Sequence, residues 1–120
     1  MPAFETPLSA VARTPRPPYY AVTTTTQFSA EFDADAYRRL GAELYREAHA
    51  IGGFLGLEAF FTETASIAVS YWTDLEAIAR WRAHTLHGRA KDLARSTWFG
   101  PTITRIARVE ADYGFHLDDG

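Results

Sequence analysis

The apolar residues of this chain switch from strand-like alternation to a helical stripe and back, twice over, and that order restricts the fold more than any other feature. Tyr19 to Phe28 reads YYAVTTTTQF, dense in β-branched and aromatic residues that suit a pleated surface, and predicts a strand. Over residues 33–51 the spacing turns helical. Tyr37, Leu40, Leu44, Ala48 and Ile51 share one stripe, while Arg38, Arg39, Glu43, Arg46 and Glu47 lie mostly off it. Asp33 can accept from the first free amides of that helix, and Gly52-Gly53 supplies its stop.

A hairpin is expected next, with strands over Phe54 to Phe61 and Ser66 to Trp72 joined by the polar turn TETA at residues 62–65. Thr73-Asp74-Leu75-Glu76 reads as a capping box, with a hydroxyl at the N-cap and a carboxylate three residues on. The helix it opens runs toward His84. Thr85 and Gly88 mark a break there, followed by a short helix carrying Leu86, Ala90 and Leu93. Were residues 74–94 one straight helix, Leu75, Ala79, Leu86 and Leu93 would form its buried face and His84 would point to solvent. A last strand, Thr102 to Phe115, is entered through Gly100-Pro101.

The resulting order, β-α-β-β-α-β, is the ferredoxin-like arrangement of the α+β class, with helices on one face of a four-stranded antiparallel sheet. The other face needs cover. Ile103, Ala107, Val109, Ala111 and Tyr113 give it one apolar row, and Phe60, Ile67, Val69 and Tyr71 add to it. Pairing that face with its own copy is the simple solution and predicts a two-fold homodimer.

With 120 residues the chain has the size of one domain, and residues 18–116 are expected to form it. Residues 1–17 precede it as a proline-rich arm, since Pro2, Pro7, Pro15, Pro17 and Pro18 are five of the six prolines; residues 117–120 are a short tail. The arm is read as a flexible tail in preference to a strap across a neighbouring subunit. The 47% apolar composition provides ample core. A formal charge of −3 without clustered Lys or Arg argues against nucleic acid as a partner. The absence of cysteine excludes disulfides, thiolate catalysis and cysteine-ligated metals. No apolar run is long enough to cross a bilayer and no secretory leader is visible, so a cytoplasmic protein without a membrane partner is expected.

Four segments, YYAV, GFLGLEAF, IAVSYWTDLEAIARWRAHTLHGRA and RIARVEADYGF, together resemble the antibiotic biosynthesis monooxygenase family. The likeness covers roughly residues 19–115, and the block from Ser70 to His87 is its most specific part. It implies a dimeric α/β barrel with a ligand cavity between each sheet and its helices. It also implies a range of activities, since similar proteins include cofactor-free monooxygenases acting on phenolic polyketide intermediates, haem-degrading enzymes, small-aldehyde and quinol oxidases, and many without an assigned activity.

Dioxygen is a triplet and reacts slowly with closed-shell molecules, so an oxygenase without flavin or metal must turn its substrate into a phenolate or carbanion. That chemistry needs a base titrating near neutrality and an apolar pocket. His84 and His87 stand within the family-like block and are the expected bases. Trp72, Trp81 and Trp98, with Tyr45, His49 and Thr24, are the expected pocket residues for a small hydrophobic or aromatic molecule. Trp72 alternates with Ile67, Val69 and Tyr71, and so faces the helices together with Ala68. No metal site is expected, because His84 and His87 have no companion ligand at suitable spacing. Haem is a lesser alternative: where the haem-degrading branch places its ligand histidine, this chain has Lys91. The leading expectation is thus a cofactor-independent monooxygenase-like protein. A dimeric ligand-binding or stress-related protein is the alternative, and a haem-handling one the third.

Overall fold

A computed structural model describes residues 11–86 and 98–115. Six elements follow one another: β1 (Tyr19–Phe28), α1 (Ala34–His49), β2 (Phe54–Phe61), β3 (Ala65–Trp72), α2 (Leu75–Leu86) and β4 (Phe99–Val109). The strands form one sheet in the order β2-β3-β1-β4, every neighbouring pair antiparallel. With both helices between the outer and central strands in sequence, this is the ferredoxin-like β-α-β-β-α-β fold of the α+β class. Among the described residues no helix is long and apolar enough to cross a membrane.

Local chemistry sets the boundaries. Asp33 is the N-cap of α1 as expected, accepting from the Ala36 amide. Gly52 and Gly53 adopt φ of +78° and +91°, a region costly for residues with a Cβ, and they end the helical run. At Gly53 the space matters as well, since a Cβ there would lie 2.6 Å from Ala77 Cβ. This glycine therefore lets α2 settle against the turn. The second helix begins one residue later than the capping-box reading requires: Asp74, not Thr73, is its cap, with Oδ1 accepting from the Ala77 amide at 2.8 Å. A carboxylate at that position also complements the positive end of the helix dipole.

The buried face of α2 differs from the straight-helix expectation. Ala77 and Ile78 are buried beneath it and Trp81 is half-buried, whereas Leu75 is 53% exposed and Ala79 is exposed. Leu75 sits in the first turn, where Gly53 approaches Ala77 rather than Leu75, and this fixes the rotation of the helix. The helix continues through Thr85 to Leu86; the expected short helix beyond it lies outside the described residues. The last strand begins at Phe99, three residues earlier than expected, because Phe28 pairs with Phe99 across an irregularity in the β1–β4 register.

Residues 11–18 are not a free tail. The Ala12 amide donates to Glu58 Oε2 at 2.9 Å, Thr14 Oγ1 donates to the Tyr19 hydroxyl, and Gly56 leaves room for Ala12. These contacts hold the arm against the chain's own sheet, on the face away from the helices. At the same end the Tyr71 hydroxyl donates to Glu58 Oε1 at 2.7 Å, and Tyr19 donates to Asp112.

Candidate functional site

Strand pairing decides which side chains share the space under the helices. Across the sheet, Phe61, Ser66, Thr26 and Thr102 form one row; Ala59, Ala68, Thr24 and Thr104 form the next. Leu57, Ser70, Val22 and Ile106 form the third row, and Trp72, Tyr20 and Arg108 belong to the fourth. All these residues point toward the helix side, because side chains alternate along each strand.

The apolar stripe of α1 lies above these rows. Tyr37, near the start of the helix, donates its hydroxyl to Ser66 Oγ at 3.3 Å and so stands over the first row. Ala48, near its end, packs with Trp72, Ala77 and Ile78 over the fourth. Between them Leu40, Leu44, Tyr45 and Leu57 border a space where Gly41 on the helix meets Ala59 and Ala68 on the sheet. Glycine and alanine cannot span the separation between a helix and a sheet, and a cavity of about 230 Å³ is left.

Aromatic groups close both ends. At one end Phe28 stacks on Phe32 with centroids 3.7 Å apart, and Tyr37 and Phe61 meet edge to face at 4.9 Å. At the other, Trp72 is fully buried, in edge contact with Phe54 at 5.1 Å and tilted against Trp81 at 5.9 Å. Pairs of this kind contribute roughly 0.5–1.5 kcal/mol each beyond their buried area. The two ends are therefore firm, and the soft middle is the empty part.

Of the residues expected from sequence, Trp72, Trp81, Tyr45 and Thr24 line this cavity. Trp98 does not: it is buried in the aromatic cluster behind Tyr37 and Phe32, at 6.4 and 6.2 Å. His49 is exposed at the end of α1, with Nδ1 2.9 Å from the Tyr45 carbonyl oxygen and its ring against Tyr45 and Phe54. It braces two lining residues from behind. His87 lies outside the described residues.

His84 is exposed, as the straight-helix expectation has it, but it also packs against its neighbours. Because α2 turns Ile78 and Trp81 inward, His84, three residues beyond Trp81, lies on the same flank. Its ring stacks on Trp81 with centroids 5.5 Å apart and planes 19° from parallel. Its Nε2 is 2.8 Å from Glu47 Oε1 on α1, while its side chain keeps 45% exposure. An ionised carboxylate can only accept, so Nε2 carries the proton in this contact. In the neutral imidazole the free lone pair is then on Nδ1.

The lining residues that sequence reasoning missed are mostly silent in hydropathy. Val22 and Leu57 could have been placed by alternation, once β1 and β2 were paired with β3. Ser70 reads as an ordinary polar strand residue. In the structure its Oγ accepts from Trp72 Nε1 at 2.9 Å on the cavity floor. Besides Ser70 only Thr24, Tyr37 and Tyr45 bring hydroxyl groups among the described lining residues, and none of these side chains carries a charge at neutral pH. Burial raises the Tyr37 phenol above its ordinary value, against a smaller opposing effect of its hydrogen bond to Ser66. Among the described residues no group of three or more His, Asp or Glu side chains stands together as a metal set.

No family model matches the chain. In fold it is similar to the NE2512 protein of unknown function from Nitrosomonas europaea, with a TM-score of 0.60 at 18% identity, covering 86% of this chain and 97% of that one. In sequence it is similar to the uncharacterized protein YqjZ of Bacillus subtilis (strain 168), 38% identical over 101 residues that span 83% of this chain and 87% of that protein. With identity of that degree over that share of both proteins, the chain belongs to the same family as YqjZ.

Proposed function

We propose that the protein binds a small, flat, largely apolar molecule between its sheet and α1. The observation that carries this reading is the cavity itself, about 230 Å³ with aromatic ends and an uncharged lining. A dry cavity of about 150 Å³ takes a single benzene ring, and drug-sized ligands need about 300 Å³ or more. A ligand of one or two rings lies between these limits. A haem macrocycle exceeds them, which favours the small aromatic molecule over the haem reading.

Trp72 and Trp81 border the cavity, so binding has a direct optical readout. Titration with naphthalene is expected to quench or shift tryptophan emission in a saturable way. If neither naphthalene nor its ring-nitrogen isosteres bind saturably by fluorescence or calorimetry, the reading fails.

Oxygenation of the bound molecule is the second reading, favoured by the Glu47–His84 pair stacked on Trp81 and by the resemblance to the antibiotic biosynthesis monooxygenase family. In it Nδ1 of His84, or His87, takes the proton of a phenol. The resulting phenolate passes an electron to dioxygen, and no bound cofactor is required. Oxygen uptake with an anthrone-type phenol tests this. Equal rates for the wild type, His84→Ala and His87→Ala would exclude both histidines as the base.

A homodimer belongs to the same proposal. Phe60, Ile67 and Ile103 stand in one cross-strand row on the face away from the helices, 58%, 52% and 49% exposed. Self-pairing through a two-fold axis would bury that row against its own copy.

A further inference from the structure

The geometry points to Ser70 and Thr24 as a hydroxyl pair that selects, among flat ligands of the right size, those presenting a neutral hydrogen-bond acceptor to the cavity floor; this rests on the binding reading above. Two observations carry it. The first concerns Ser70. A serine hydroxyl has one proton and two acceptor lobes. The Trp72 indole is a donor only, and its Nε1 uses one of those lobes at 2.9 Å. That bond fixes the position of Ser70 Oγ and leaves its own proton to turn toward the cavity.

The second concerns Thr24. Its Oγ1 is 3.1 Å from Thr104 Oγ1. When Thr104 is the donor in this pair, the Thr24 proton is left for another acceptor. Thr24 pairs with Ala68 and Val22 with Ser70, so Thr24 and Ser70 are diagonal neighbours on one face. Diagonal positions lie about 7–8 Å apart at the backbone and closer at their side-chain tips. One edge of a flat ring system therefore meets both hydroxyls while its faces rest against apolar side chains.

The chemical class follows from the lining. Two hydroxyl donors with no cation among the described lining residues favour a neutral acceptor, a ring nitrogen or a carbonyl oxygen, over a carboxylate or phosphate. Those anions would lose their hydration for too little in return. A wholly apolar ligand would leave both protons facing carbon, and an unsatisfied buried donor costs about 1–3 kcal/mol.

The test compares naphthalene with quinoline and isoquinoline, which keep its shape and replace one CH by an acceptor nitrogen. Calorimetric affinities are measured for the wild type, Ser70→Ala, Ser70→Thr and Thr24→Val. Ser70→Ala is expected to weaken at least one of the two nitrogen ligands roughly five- to tenfold, the worth of one net hydrogen bond. Naphthalene should change less than about twofold, and Ser70→Thr, which keeps the hydroxyl, should retain most of the affinity. Thr24→Val should act in the same direction as Ser70→Ala. An equal loss for all three ligands would assign Ser70 a structural role through Trp72 and overturn the inference. Unchanged affinities in Ser70→Ala and Thr24→Val would overturn it too, while leaving the binding reading intact. Failure of the wild type to bind any of the three would instead remove the binding reading itself.

Discussion

His84 on α2 reaches Glu47 on α1 with Nε2 2.8 Å from Oε1, and its ring lies nearly parallel to the Trp81 indole. One side chain thereby ties the two helices together beside a residue that lines the cavity. The tie is half in solvent, with 45% and 35% of the two side chains exposed, so screening and side-chain entropy limit its contribution to about 1 kcal/mol or less. Glu47→Gln and His84→Ala are each expected to lower the melting temperature by no more than about 5 °C. Thermal unfolding followed by circular dichroism checks this, and a larger fall would mean the pair holds α2 in place.

The empty middle of the cavity depends on Ala59 and Ala68, whose neighbours on the same face are larger. Ala68→Leu puts three more carbons into that space, at about 0.8 kcal/mol of burial per methylene if no strain follows. The free protein should therefore melt at an equal or higher temperature, while saturable binding of naphthalene disappears. A melting temperature reduced by several degrees would show that the space closes in the absence of ligand.

The Tyr71 phenol is held well above its ordinary range, first by burial and then by the Glu58 carboxylate it donates to. A raised value in the folded protein means that folding favours the protonated form. The resulting stability is complete below the ordinary tyrosine range near about pH 10 and is lost as pH rises through the folded value. Unfolding free energy should fall above about pH 10, and less steeply in Tyr71→Phe. Tyr19, also raised by burial and by its bond to Asp112, and Tyr37 keep part of the slope. Spectrophotometric titration near the phenolate band should show Tyr71 ionising earlier in Glu58→Gln than in the wild type.

Strand and helix existence was legible because β-branched alternation in YYAVTTTTQF and the stripe on α1 are local signals; β1 and β2 begin and end where the sequence puts them. The rotation of α2 was not. Leu75 is the more hydrophobic residue, but close approach of the Gly53 turn to Ala77 decides which face goes inward. The cavity was half legible. Trp72 and Thr24 follow from alternation, whereas empty volume is a property of paired positions. Ala59 and Ala68 are opposite each other through a register that hydropathy does not carry. Trp98 was misplaced for a similar reason: the aromatic cluster that takes it in gathers Phe28, Phe32, Tyr37 and Phe61 from three separate elements and a loop.

The proline-rich arm rests on a close approach at Gly56, where an added Cβ would lie 2.9 Å from Ala12 Cβ. Gly56→Ala should lift residues 11–18 and break the bond from the Ala12 amide to Glu58, with little change in the core beneath. Faster tryptic cleavage after Arg13 is the expected result. Cleavage at the wild-type rate would mean that Gly56 does not control the arm.

The same arm limits how the open face can pair with a second copy. Its described residues, 11–18, lie at the end that holds Gly56, Glu58 and Tyr71, whereas Phe60, Ile67, Thr25 and Ile103 form a row at the other. A two-fold contact centred on that row would bring Ile67 and Ile103 of each protomer into the buried middle, where an unpaired charge is expensive. Under the proposed pairing, the wild type should scatter as a dimer at micromolar concentration, and Ile67→Glu and Ile103→Lys should each scatter as a monomer. Reversing charge at Arg105, in the adjoining row and exposed, should have the smaller effect. A monomeric wild type, or isoleucine variants that keep the mass of a dimer, would overturn the proposed pairing through this row.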